Sequence, residues 1–160
     1  RIHKHSVGLA HSFYHRPLEH EILRNIIDAG RFYEGRFMSD AWPTEIRASN
    51  EGRVLNISFE DGKSFALPAE LLRVESPSAE VRGHSPAERK TVGGKINVRI
   101  KAIEPVGNYA VKLVFDDGHD TGLYTWSGLH KLGAEQNSIW AAYLSALASK
   151  GLARDKLGQK

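Results

Sequence analysis

Residues 115 to 126 read FDDGHDTGLYTW and bring carboxylates and an imidazole together at the end of an apolar run. Asp116, Asp117, His119 and Asp120 are of the residue types that ligate metals or act as general bases. An Asp-Gly step after a run with β-strand patterning is also a common way to reverse a strand. The segment therefore predicts either a chemical site or a turn, and the rest of the chain must decide between them.

A second segment, ESPSAEVRGH (75 to 84), carries further groups that could meet the first. His84 could join His119, with Glu80 or Asp120, to form a metal site. Nucleotide binding is disfavoured because TVGGK (91 to 95) lacks the first glycine and the terminal Ser/Thr of a Walker motif, and no GxGxxG occurs. No GxSxG frames a serine, which also disfavours a serine hydrolase.

Composition restricts the class of protein. The 160 residues fit one ordinary domain, and the absence of cysteine excludes disulfides, thiolate metal sites and a cysteine nucleophile. No apolar run of 18 residues occurs and the first residues lack a secretory pattern, so we expect a cytoplasmic protein without membrane association. The net charge of +3 is spread over single basic residues, which disfavours a nucleic-acid partner.

The first 37 residues differ from the rest and are interpreted as an N-terminal extension. They hold five of the eight histidines, and the only methionine, Met38, follows them like a natural start. Within the extension, residues 17–29 predict a helix, with Pro17 at its first position and Gly30 just past its end. Its apolar face must either cover the domain or form a homodimer.

Residues 38–135 contain an internal repeat, in which segment 46–72 aligns with segment 100–129. Each copy reads as strand, turn, strand, Asp-Gly turn, strand and short helix, with Pro68 opening one helix and Thr125 capping the other. This pattern predicts an α+β fold in which two repeated antiparallel β-hairpin plus short-helix units form a sheet.

The apolar pattern also predicts the register of the two Asp-Gly hairpins. A three-residue loop with glycine in the left-handed region pairs Leu55 with Leu67, Ile57 with Phe65, and Val111 with Leu123, whereas a two-residue loop would place Lys112 opposite Leu123. The first register keeps apolar residues on one face. It turns His119 inward beside Phe115.

Residues 136–160 predict a C-terminal amphipathic helix followed by a polar tail. Asn137 is the expected cap and Gly151 the expected end. The apolar stripe, which we expect to cover the sheet, comprises Ile139, Trp140, Tyr143, Leu144 and Leu147.

Four segments together resemble a known family: PTEIRA (43 to 48), FEDGKSFALPAELLRVESPSAEVRGH (59 to 84), IEPVGNYAVKLVFDDGHDTGLYTW (103 to 126) and Leu129. They are similar to the stand-alone bacterial relatives of the N-terminal domain of gamma-butyrobetaine hydroxylase, over about residues 42 to 133. The family also includes copies fused to P-loop carriers of iron-sulfur clusters, so the resemblance implies an accessory role in cluster assembly as one alternative.

The resemblance further implies a zinc site that this chain has lost. In the hydroxylases three cysteines and one histidine hold the metal. Here Ser76, Ser78 and Val81 stand in the cysteine positions and only His119 matches. Serine is rarely deprotonated and valine offers no donor, so we expect no zinc and no other cofactor. The oxygenase activity belongs to a separate catalytic domain for which this chain is too short.

The favoured interpretation is a non-catalytic module that binds a partner protein or a small ligand through Arg82, His84, His119 and Tyr124. Each of these residues also has a purely structural interpretation. His119, for example, could hydrogen-bond to the loop from 76 to 81. The competing hypothesis is a metal-binding protein or accessory factor that uses His84 and His119.

Overall fold

The computed structural model describes residues 42–155, which form two three-stranded antiparallel sheets with short helices and a C-terminal helix. The predicted α+β fold class is confirmed. The first sheet contains β1 (Pro43–Ser49), β2 (Val54–Phe59) and β3 (Ser64–Pro68), and the second contains β4 (Ile100–Val106), β5 (Ala110–Phe115) and β6 (Leu123–Thr125). The helices are α1 (Ala69–Val74), α2 (Ala79–Arg82), α3 (Trp126–Ala134) and α4 (Gln136–Ser149). Each repeat thus builds its own sheet and its own following helix.

Both Asp-Gly hairpins close through the predicted three-residue loop. Gly62 and Gly118 have φ angles of +83° and +86°, in the left-handed region that glycine adopts without a steric penalty. The amide of Phe59 donates to the carbonyl of Lys63 over 2.8 Å, and the amide of Phe115 donates to that of His119 over 3.0 Å. The Asp-Gly steps are therefore equivalent turns in the two repeats.

The predicted register is confirmed in the first hairpin, where Leu55 pairs with Leu67 and Ile57 with Phe65. In the second hairpin it is wrong beyond the turn. Val111 pairs with Tyr124 and Lys112 with Leu123, so the returning chain holds one extra residue between His119 and β6.

The extra residue has a packing reason. Gly122 passes so close to Ser76 that a Cβ on it would lie 2.4 Å from the Ser76 Oγ. The shift brings Tyr124 into the core, where its hydroxyl donates to the carbonyl of Leu72 over 2.7 Å, and leaves Leu123 42% exposed. Because the tyrosine buries a ring and still satisfies its hydroxyl, it takes the inward position instead of leucine.

One core lies between the two sheets and the short helices. Its largest fully buried side chains include Ile46, Leu55, Ile57, Leu67, Leu71, Leu72, Ile100, Leu113, Phe115 and Leu129. The sheets meet where the amide of Ile100 donates to the carbonyl of Gly52 over 2.8 Å. Thr125 caps α3 as predicted, since its Oγ1 accepts from the amide of Gly128.

The C-terminal helix follows α3 directly, and several details differ from prediction. Asn137 lies inside α4 and does not cap it, because α4 begins at Gln136 with Glu135 in the cap position. Leu144 is 39% exposed, outside the buried stripe. Tyr143 and Leu147 form a second small cluster with Val74 of α1, while Ile139 and Trp140 contact the main core.

The segment after Gly151, predicted as a polar tail, is largely exposed over residues 152–155 but makes contacts with the domain that the sequence did not indicate. The carbonyls of Ala153 and Arg154 accept from the amides of Gly94 and Ile96. Arg154 also reaches the buried carboxylate of Glu70 through Nε and Nη2, over 3.0 and 2.6 Å. The tail docks because it supplies the counter-charge for a side chain that is only 5% exposed.

The predicted extension 1–37, with its helix over 17–29, lies outside the described residues. None of the helices between residues 42 and 155 combines the length and the apolarity needed to cross a bilayer.

Candidate functional site

The segment from 115 to 126 places His119 at the centre of a buried polar cluster. The side chain lies beside the ring of Phe115, and the residue is 6% exposed. Its Nε2 lies 2.8 Å from the Oγ of Ser76, and its Nδ1 lies 3.2 Å from a carboxylate oxygen of Glu80. The inward orientation is therefore as predicted, and the hydrogen bond to the loop from 76 to 81 agrees with the structural interpretation of His119.

The partners of the imidazole determine its tautomer. An ionised carboxylate only accepts hydrogen bonds, so Nδ1 must donate to Glu80. In the neutral ring, Nε2 is then an acceptor, and the hydroxyl of Ser76 donates a hydrogen bond to it. The amide of Ser78 donates in turn to the Ser76 oxygen, over 3.4 Å. One neutral tautomer thus satisfies every partner of the ring.

This order of atoms, hydroxyl to imidazole to carboxylate, is that of a hydrolytic triad. A nucleophile must also be reachable by the carbonyl carbon that it attacks. Ser76 is fully buried, and the backbone of Gly122 packs against its hydroxyl. The cluster therefore has the hydrogen bonds of a triad without access for a substrate.

A network of charges surrounds the cluster. Asp117 accepts from Arg73 and from Lys95, and its other oxygen accepts from the His119 amide over 3.2 Å. Burial raises the pKa of Asp117, but these donors outweigh the burial and hold the pKa below its usual range. For His119, burial is the main cause of a lowered pKa. The Arg73 charge adds to this effect, and Glu80 opposes it.

The lowered pKa of His119 predicts a pH-dependent stability. Below the ordinary value of 6.5, the unfolded chain takes up a proton that the folded chain resists. The contribution of neutral His119 to stability is thus fully present above that value, and it is lost as the pH falls toward the folded pKa. We expect the free energy of unfolding, measured by urea titration from about pH 7.5 to about pH 5, to fall less steeply in a His119→Gln variant than in the wild type.

The exposed His84 supplies the control for this measurement. A His84→Gln variant controls for the loss of a histidine as such, because the His84 ring is exposed and makes no hydrogen bond within the described part of the chain. Equal slopes for wild type and His119→Gln would contradict the assignment. Asp117 does not interfere, because its pKa is lowered from the ordinary value of 3.8 and its contribution to stability is lost only as the pH falls from that value toward the folded pKa.

The residues in the inherited zinc positions do not fit that metal. Ser76, Ser78, Val81 and His119 are all buried, but they offer one imidazole, already bonded to a hydroxyl, and two unactivated serines. The Oγ of Ser78 has no hydrogen-bond partner among residues 42–155. A hydrogen-bonded polar cluster occupies the place that the resemblance assigned to a metal.

The replacement site around His84 and His119 is not assembled either. Glu80 reaches His119, whereas the His84 amide instead bonds the carboxylate of Glu88 within its own loop. Over residues 42–155, no group of three or more metal-binding side chains of the His, Cys, Asp or Glu type comes together.

A surface cleft lies next to the buried cluster, between the loop after α1, strand β6 and helix α3. Its volume is about 400 Å³. The residues that line it are Glu75, Pro77, Arg82, Arg89, Leu123, Tyr124, Thr125, Gly128, Lys131, Leu132, Glu135 and Ile139. We call it the β6 cleft.

The β6 cleft combines positive charge with apolar surface. Arg82 and Lys131 are exposed and take part in no ion pair within the part of the chain that the structure describes. Leu123 projects beside them with 42% of its surface exposed. Such a surface suits a partner that brings both a carboxylate and an apolar side chain.

The four residues predicted to form a binding surface do not lie together in the structure. Arg82 and Tyr124 line the β6 cleft, although the Tyr124 ring is 4% exposed and burial raises the pKa of its hydroxyl. His84 is exposed but lies outside the cleft lining, and His119 is buried behind Glu80.

Sequence reasoning missed Leu123 and Lys131. The sequence carried no signal for Leu123, because its exposed position follows from the one-residue shift of β6, in which Leu123 and Thr125 are exposed and Tyr124 is buried. Lys131 lies on α3, and only the folding of that helix against β6 brings it to the cleft.

Comparisons with known proteins agree with this architecture. The model of the family described as gamma-butyrobetaine hydroxylase-like, N-terminal, matches residues 46–130. Two NMR solution structures are 44% and 46% identical in sequence, with TM-scores of 0.65 and 0.64. They cover 74% and 79% of this chain and 94% and 98% of their own.

A crystal structure of a protein of unknown function from Acidithiobacillus ferrooxidans ATCC 23270, assigned to the DUF971 family, is 39% identical with a TM-score of 0.51. The match covers 62% of this chain and all of that one. No curated protein is significantly similar to the chain.

Proposed function

The chain belongs to the gamma-butyrobetaine hydroxylase-like N-terminal domain family, and we propose that it is a non-catalytic module that binds a partner protein at the β6 cleft. The observation that carries this proposal is the presence at one cleft of the exposed side chain of Leu123 and of two cations, Arg82 and Lys131, that form no ion pair within residues 42–155.

The chemistry around His119 supports a structural role for the buried cluster. Its hydroxyl, imidazole and carboxylate satisfy one another, and the hydroxyl that could act as a nucleophile is fully buried. A catalytic group must reach the reacting atoms of a substrate. The cluster instead holds the loop of Ser76 and Glu80 against the second hairpin, and this loop forms one wall of the cleft.

A protein partner is favoured over a small ligand by the position of Leu123. Its side chain stands out from the short strand β6 and is not enclosed by the cleft. Apolar anchors that project from a rim of charged residues are typical of protein interfaces. A small ligand would be recognised mainly by enclosed surface, and that would leave the Leu123 side chain in water.

Affinity capture with a matched pair of variants tests the proposal. Leu123→Asp should abolish retention of a partner that the wild type retains reproducibly, because it places a charge in the apolar centre of the contact. Leu152→Asp is the control, since Leu152 is also 42% exposed and lies outside the cleft. Arg82→Glu should also weaken retention of the partner.

Thermal unfolding of each variant must match the wild type, so that loss of binding is not loss of fold. Equal retention by Leu123→Asp and wild type would place the interface elsewhere and refute the proposal. Size-exclusion chromatography of the same variants separates a different partner from a second copy of this chain. A homodimer through the cleft would dissociate in Leu123→Asp.

A further inference from the structure

A second cleft continues from the first along helix α4. Its volume is about 460 Å³, and it shares Glu75, Arg89 and Ile139 with the β6 cleft. Val74, Val92, Ala142 and Ala146 contribute apolar surface, and Lys150 lies at its far end along α4. Because the two clefts share these lining residues, they adjoin each other, and together we call them the α4 groove.

The α4 groove is strongly positive within a neutral body. Residues 42–155 contain fourteen Lys/Arg and fourteen Asp/Glu. The lining of the groove holds five of these cations and only two carboxylates, Glu75 and Glu135. Arg89 forms an ion pair with Glu75 in the stretch common to both clefts. The remaining excess charge raises the local concentration of negatively charged segments.

The cations are distributed along the whole groove. Arg82 and Lys131 line the first cleft, and Lys90 and Lys150 line the second. Lys150 donates to the hydroxyl of Thr91, which orients the ammonium without neutralising it. Between these charges, Ile139 is partly buried and borders both clefts. Cationic and apolar side chains therefore line both clefts.

The side chains that line the groove favour a peptide over a nucleic acid. Binding of single-stranded nucleic acids depends on exposed aromatic rings that stack with bases. The two tyrosines of the groove, Tyr124 and Tyr143, are 4% and 5% exposed. Their hydroxyls donate to the carbonyls of Leu72 and Val92. The groove thus offers cations and aliphatic surface but no stacking platform.

We infer that the α4 groove binds an acidic peptide segment of a partner protein, with aliphatic side chains between its carboxylates. This inference rests on the proposed function, to which it adds the chemical class of the partner and the extent of the contact. Carboxylates pair with the cations at the two ends, and aliphatic side chains cover Ile139 and Val92.

Fluorescence anisotropy with a labelled peptide of alternating glutamate and leucine tests the inference on the full chain at low salt. We expect saturable binding that weakens as salt is added. Arg82→Glu and Lys150→Glu should each lower the affinity roughly tenfold, because each reverses one charge at the rim of the groove. Lys101→Glu is the matched control, since Lys101 is exposed on β4 outside the groove and should leave the affinity unchanged.

Two further probes determine which chemistry is recognised. A peptide with glutamine in place of glutamate, and one with serine in place of leucine, should both bind more weakly than the parent. Tighter binding of a single-stranded oligo-dT that displaces the peptide would overturn the peptide inference in favour of nucleic acid. Absence of saturable binding of the acidic peptide would also overturn it.

The outcomes separate this inference from the proposed function. If Arg82→Glu weakens peptide binding and Lys150→Glu does not, the result supports binding at the β6 cleft and refutes binding along the whole α4 groove. If no acidic peptide binds while a captured partner still depends on Leu123, the proposed function stands and the partner class is wrong.

Discussion

Replacing Gly52 by alanine is expected to lower the free energy of unfolding by about 3 kcal/mol, as the sum of backbone strain and a steric clash. Gly52 has a φ angle of +81°, and a Cβ on it would lie 2.2 Å from the carbonyl oxygen of Ile100. The neighbour is backbone and cannot rotate away. The displacement would also break the hydrogen bond by which Ile100 joins the two sheets. Urea denaturation of the two proteins measures the difference.

Gly62 supplies the control for this prediction. Its φ angle of +83° is nearly the same, but no atom lies within 4 Å of the position of its Cβ. Gly62→Ala should therefore cost only the backbone strain, about 1 kcal/mol. Equal losses in the two variants would show that contact with Ile100 has no energetic importance.

Removing the side chain of Arg154 is expected to lower the free energy of unfolding by about 2 to 3 kcal/mol, because it leaves the carboxylate of Glu70 buried without its counter-charge. The Glu70 side chain is 6% exposed and accepts two hydrogen bonds from the guanidinium, which also lies over the ring of Trp140. The expected loss is smaller than for a wholly buried pair, because the Arg154 side chain is 39% exposed and water can partly replace it. Chemical denaturation of Arg154→Ala measures it.

A second substitution tests whether the uncompensated charge is the cause. In the double variant Glu70→Leu, Arg154→Met, no charge is buried, so stability should return to within about 1 kcal/mol of the wild type. If the double variant were as unstable as Arg154→Ala, the loss would come from packing of the tail instead. Arg47→Ala, which removes one partner of an exposed ion pair on β1, should change stability by well under 1 kcal/mol.

The sequence predicted the repeated units because turn chemistry and apolar alternation act locally. The Asp-Gly steps and the pairing of Leu55 with Leu67 follow from residues within one hairpin. The second hairpin was mispredicted beyond His119 because its register depends on Ser76, a residue from the loop that follows the first repeat and packs against Gly122. Hydrophobic patterning contains no information about such a contact.

The candidate site shows the same limit. That His119 faces inward beside Phe115 was predicted from the register of its own hairpin. The β6 cleft was only partly foreseen, through Arg82 and Tyr124, because Leu123 and Lys131 join it by a shift of one residue and by the docking of a helix. The role of Arg154 was missed, since nothing near it in the sequence indicates that Glu70 is buried.

The separate sheets have a consequence for the order of folding. Within each sheet every strand pairs with its neighbour in sequence, so each unit closes only short loops as it forms. The hydrogen bond between Gly52 and Ile100, in contrast, closes a much longer segment of chain. It adds no stability until both units have folded. Docking of the sheets is then a late event. The destabilisation at Gly52 should accordingly appear mainly as faster unfolding, which stopped-flow measurements on the alanine variant would report.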